Sequence, residues 1–103
     1  MVSNMDRNHA LSVLRDAAAV MRDRYGVSGA RLFGSVARGD SDHASDVDVA
    51  VSFAEGRPAN AMTICGISGL LSSRFGVDVD VVAEPVKDPA LNEAIGRDAV
   101  HAF

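Results

Sequence analysis

The chain has 103 residues, 48% of them hydrophobic and 23% charged, the balance of an ordinary globular domain with room for one core. Its formal net charge is −4, ten basic residues against fourteen acidic ones, and the basic residues are scattered, which argues against a stable nucleic-acid-binding surface. The lone cysteine, Cys65, excludes an intramolecular disulfide and any multi-cysteine zinc site, and no apolar run approaches the ~20 residues of a membrane span.

The N-terminus carries no signal-peptide pattern, so the cytoplasm is the expected location and a single domain over residues 1–103 the expected organisation. With four Phe, one Tyr and no Trp, core volume must come mostly from Val, Leu, Ile and Ala. In chain order, Leu11, Leu14, Ala18, Met21 and Tyr25 recur at spacings of three and four, an amphipathic helix with Asn4 or Asp6 as its cap and Gly26 as its stop. Residues 30–33 read as a short strand ended by Gly34. Residues 35–38 read as a short helical turn, and 39–45 as a polar loop. Residues 46–53 alternate as a strand does, with Val47, Val49 and Val51 on one face and Asp46 and Asp48 on the other. Glu55-Gly56-Arg57-Pro58 marks a turn.

Residues 59–75 place Ile64, Ile67, Leu71 and Phe75 on one helical face, with Gly76 as the stop. Gly66 and Gly69 each cost about 1 kcal/mol there relative to Ala, which suggests close packing against a sheet. Cys65, amid Thr63, Ile64, Gly66 and Ile67, reads as a small buried hydrophobe. Residues 77–82 alternate again, with Asp78 and Asp80 sharing a face. Asp88-Pro89 is an N-cap followed by Pro at the first helical position, opening a helix to about residue 98 with Leu91, Ala94 and Ile95 inward. Residues 99–103 either add a short edge strand or simply pack. The order predicts one α/β (α+β) domain, a small mixed sheet flanked by helices.

A strand in such a sheet normally tolerates few charges, because both faces are covered. Here two strands each present two carboxylates on one face. Gathered at one sheet end, they repel one another and raise one another's pKa values. Divalent cations relieve that repulsion, and carboxylate oxygens are the ligands magnesium prefers. Gly34 lets the backbone approach a ligand closely, the N–H groups after it can point at phosphate oxygens, and Ser35 adds a hydroxyl donor. A helix starting at Ser35 would add a favourable dipole for anions. Solvation on an exposed sheet face is the plainer reading of the acids, and it weighs more for Asp78 and Asp80 than for Asp46 and Asp48.

Gly34-Ser35, ten intervening residues, then Asp46-Val47-Asp48 resembles the signature of the DNA polymerase beta-like nucleotidyltransferases. The strings Gly34-Ser35-Val36-Ala37-Arg38-Gly39-Asp40 and Ser45-Asp46-Val47-Asp48-Val49 resemble its minimal branch, the MNT antitoxins that partner HEPN ribonuclease toxins. The stretch from Gly76 to Val82 and the tail from Ile95 to Val100 resemble that branch as well.

The resemblance implies a catalytic and metal-binding set of Asp46, Asp48 and Asp80 holding two magnesium ions. It implies a nucleotide-binding set of Gly34 and Ser35, with Arg38 supporting the triphosphate or the loop; an Arg38–Asp40 ion pair is the alternative. Asp80, followed by the apolar pair Val81-Val82, fits the third-acid role best; Asp78, an extra acid, is the alternative that would share or replace it. Val36 stands where many relatives carry a basic residue, which removes a phosphate contact. The implied reaction transfers AMP from ATP to a tyrosine of a partner HEPN toxin, in a hetero-oligomer with it. The rival readings are an antitoxin that neutralises by binding alone, or a stand-alone transferase acting on a small hydroxylated molecule.

Overall fold

The computed structural model describes residues 6–39, 46–57 and 59–103. Each long helix begins at a capping side chain, and the first two of them end at a left-handed glycine. Helix α1 (Arg7–Tyr25) starts at Asp6, whose carboxylate accepts a 2.7 Å hydrogen bond from the His9 N–H, and stops at left-handed Gly26. Asn4, the other candidate cap, lies outside the described residues. Helix α3 (Ala61–Phe75) starts at Asn60, which accepts from the Thr63 N–H at 2.9 Å, and stops at left-handed Gly76. Helix α4 (Pro89–Asp98) starts at Asp88 with Pro89 in its first turn. Between them lie strands β1 (Val27–Phe33), β2 (Val47–Phe53), β3 (Val79–Ala83) and β4 (Val100–His101), and the five-residue helix α2 (Gly34–Arg38).

The sheet order is β3-β2-β1-β4. β2 and β3 run parallel, whereas β1 is antiparallel to both β2 and β4. The expected small mixed sheet flanked by helices is therefore the observed architecture. One sheet face carries Ala30, Leu32, Val47, Val49 and Val51 against Leu14 and Met21 of α1 and Ile67 and Leu71 of α3. The other carries Phe33 and Ala50 against Ile95 of α4, with Leu91 partly buried beside them. Alternation then puts Asp48 on this second face, at the end of β2 where apolar cover stops.

Three expectations need correction. β1 begins at Val27, three residues before the strand read from the sequence. The alternation there is broken by a register shift between Val27 and Gly29, and a side chain on Gly29 would sit 3.2 Å from the Phe103 carbonyl oxygen. A bulge and a close backbone approach hide a strand from pattern reading. β3 begins at Val79, so Asp78 precedes it; it adds Ala83 at the other end. Cys65 is exposed, not buried. Its apolar neighbours in sequence turn inward at Ile64 and Ile67, and the 3.6-residue period swings Cys65 away from them. Of the two outcomes expected for the tail, the structure shows the short edge strand β4, and beyond it the Ala102 N–H donates to the Ala30 carbonyl at 2.9 Å.

The glycines of α3 also differ from expectation. A Cβ on Gly66 would lie 2.7 Å from Cε1 of Tyr25, so its close neighbour is α1 rather than the sheet. Nothing lies within 4 Å of a Cβ on Gly69. Gly69→Ala is therefore expected to stabilise the protein by about 0.5–1 kcal/mol through helix propensity. Gly66→Ala should gain less or lose stability, because the Tyr25 ring must shift. Thermal melting of both variants checks the order, and equal gains would contradict the Tyr25 contact.

Candidate active site

The end of β1 and the start of β2 meet in an antiparallel pair with Phe33 opposite Asp48. Directly after Phe33 the chain turns through Gly34, whose φ of 78° lies in the left-handed region. That conformation costs an L-residue about 1–2 kcal/mol. A second constraint is stronger. A Cβ on Gly34 would overlap Oδ2 of Asp48 and lie 3.2 Å from its Cγ. The space a side chain would fill is occupied by the carboxylate itself, so Gly34 and Asp48 form one unit.

Asp48 is half-buried on β2, and on its other side Asp80 of β3 is its register partner. Asp46, exposed, precedes β2 by one residue. Burial, the Asp80 charge and the Asp46 charge, in that order, push the Asp48 carboxyl above the usual carboxylate range, against the pull of Arg38. Two of the acids singled out in the sequence, Asp80 and Asp46, thus act on the third, Asp48. Asp78 is exposed and is not among the charges acting on Asp48; its backbone carbonyl accepts from the Val47 N–H at 3.1 Å. Of the two candidate acids on this segment, geometry favours Asp80.

The residues around the acids divide between scaffold and site. Ser35 is half-buried in α2. Val36 has no exposed surface and belongs to the core, so its side chain serves packing and does not face a ligand. Arg7 ties α1 to α2 through the Ala37 carbonyl at 3.3 Å. Arg38 donates from Nη1 to Asp98 Oδ2 at 2.9 Å, 60 residues away; Asp40, its expected partner, lies outside the described residues, as does most of the loop to residue 45.

Sequence reading missed Asp98 altogether. A signal existed: an acid in the last turn of a helix opposes the macrodipole and calls for a cation beside it. It also missed a polar end to the same sheet face. There Arg31, Ser52, Glu84, Pro85 and Asn92 line a cavity of about 310 Å³. Arg31 is ion-paired with Glu84, and the Ser52 hydroxyl donates to Glu84 at 3.3 Å.

The donor chemistry at the Gly34 end fits a hard divalent cation, since all three groups are carboxylates. Among the described residues, however, no group of three or more His, Cys, Asp or Glu side chains is gathered closely enough to hold a metal ion. Mutual repulsion opposes such a closing, and a divalent cation is the group that would reverse it. No helix among the described residues is long and apolar enough to cross a membrane.

A Gly-Ser turn closes one central strand, beside an Asp-x-Asp at the start of its neighbour, with a third acid in register beyond it. A family model described as nucleotidyltransferase domain matches residues 14–100. The chain belongs to that family and is a nucleotidyltransferase. It is 28% identical to the protein adenylyltransferase MntA of Thermococcus cleftensis over 90 residues, 87% of this chain and 89% of that one. A solved structure described as a candidate minimal nucleotidyltransferase superposes with a TM-score of 0.71 at 36% identity, covering 96% of this chain and 98% of its own. The same fold recurs, at 21% identity and a TM-score of 0.61, in a complex of tri-AMPylated Shewanella oneidensis HEPN toxin with MNT antitoxin, covering 94% of this chain and 68% of that one.

Proposed function

We propose that this chain is a magnesium-dependent protein adenylyltransferase that transfers AMP from ATP to a tyrosine hydroxyl of a HEPN-type toxin and thereby acts as its antitoxin. The observation that carries the reading is the interlock of Gly34 with Asp48, beside Asp80 in register. Likeness to the Thermococcus enzyme and to the Shewanella complex supports the choice of acceptor.

In this reading the acceptor oxygen attacks the α-phosphorus of ATP. A new P–O bond forms, the α–β phosphoanhydride bond breaks, and pyrophosphate leaves with the bonding electron pair. Asp80, exposed at the sheet end, receives the hydroxyl proton directly or through water. Gly34 lets the phosphates come close to the backbone, and Ser35 and the N–H groups that follow offer donors to them. Asp46, Asp48 and Asp80 would hold two magnesium ions, whose charge neutralises the triphosphate and stabilises the developing oxyanion.

The test is incubation with α-labelled ATP, magnesium and a HEPN-type toxin. Label should appear on the toxin with the wild type and disappear with Asp46→Ala. A toxin neutralised without label by both proteins would favour inhibition by binding alone. Label on small molecules only would favour a stand-alone transferase.

A further inference from the structure

Asp98 closes α4 with a negative charge at the helix end where the macrodipole favours a positive one. Its side chain is only 6% exposed, and it accepts hydrogen bonds from Arg38 Nη1 at 2.9 Å and from Arg97 Nε at 3.1 Å. The two arginines are not equivalent. Arg97 precedes Asp98 in the chain and is 66% exposed. Arg38 ends α2, the helix that begins at Gly34. Arg38 thus ties the C-terminal end of α4 to the short helix that opens at Gly34, while its side chain stays 43% exposed.

We propose that Asp98 is a positioning residue, whose carboxylate holds the Arg38 guanidinium at the open side of the Gly34–Asp48 site to meet the phosphates of the incoming nucleotide. The inference rests on nucleotidyl transfer at that site. An arginine at a helix end samples many rotamers, and ordering it when the nucleotide binds costs entropy. A fixed carboxylate moves that ordering into the folded protein, as outer carboxylates do for the ligands of charged sites. Asp98 answers to Arg38 in geometry as well as charge: a planar guanidinium offers directional N–H donors to a carboxylate, whereas an ammonium would not be held in one plane.

The test measures binding of a non-hydrolysable ATP analogue with magnesium by calorimetry, beside KM and kcat for AMP transfer. Asp98→Asn is expected to weaken binding about tenfold and to raise the KM for ATP similarly, with kcat within about twofold. Asp98→Glu should recover most of the loss, and Arg97→Ala should stay within about twofold of the wild type. In an Arg38→Ala background, Asp98→Asn should have no further effect. A purely structural strap would lower the melting temperature of Asp98→Asn and leave nucleotide affinity unchanged, which overturns the proposal. Unchanged affinity in Arg38→Ala overturns it too, whether or not Asp98→Asn folds. A wild type that binds the analogue in this pattern but transfers no AMP would sink the transfer reading and leave the role of Asp98 standing.

Discussion

Replacing Gly34 with alanine is expected to cut the rate of nucleotidyl transfer by about a hundredfold or more, from a single methyl group. Two effects combine. The left-handed backbone at φ 78° costs alanine about 1–2 kcal/mol, a loss that melting should register. The larger effect is on the site. The methyl group would overlap Oδ2 of Asp48, so either the carboxylate swings away or the β1–α2 turn moves. Either displaces a carboxylate that must act at a defined position, and misplacement on the scale of an ångström costs on the order of a hundredfold. The measurement is the initial rate of label transfer beside a melting curve. A variant destabilised by this amount but transferring at the wild-type rate would show that Asp48 does not need its seat on Gly34.

Asp48→Asn is expected to lose transfer by at least about a thousandfold, the scale of several kcal/mol of charge stabilisation, and yet to melt higher than the wild type. In the folded protein Asp48 is pushed above its ordinary pKa by burial and by the charges of Asp80 and Asp46. A carboxyl with a raised folded pKa contributes stability that is fully present below its unfolded value. That contribution is lost as pH rises through the folded value. At neutral pH the ionised carboxylate therefore opposes folding, and a neutral amide of similar shape removes the strain. Two consequences follow for the wild type. Its melting temperature should fall, on account of this group, as pH rises through the range just above the ordinary carboxylate value. Magnesium should also raise the melting temperature, by neutralising the acids, and this gain should shrink in Asp48→Asn. Loss of both activity and stability in Asp48→Asn, with no response to magnesium in either protein, would contradict the charge account.

Much of this was legible in the sequence because the signals were local. Asp6, Gly26, Gly76 and Asp88-Pro89 are punctuation that acts within one helical turn, and they mark the observed helix ends. Asp46 and Asp48 stood out because a half-covered strand carries charge only on its open side. What escaped was set by partners distant in sequence. The first residues of β1 are shaped by Gly29 and the carbonyl of Phe103, and Cys65 is exposed because helix rotation, not adjacency, decides burial. Spacing pointed to Gly34 and Asp48 as separate parts of a phosphate and metal site. That a carboxylate fills the space of the missing side chain depends on the β1–β2 register, which no local pattern encodes. The pairing of Arg38 with Asp98 across 60 residues lies beyond local reading for the same reason.

Intact mass of the HEPN-type toxin after incubation with ATP, magnesium and this protein tests the central claim most directly. The account predicts a toxin heavier by one or more AMP groups, carried on tyrosine, with the wild type, and an unmodified toxin with Asp48→Asn. A toxin of unchanged mass that is nevertheless silenced by both proteins would contradict it.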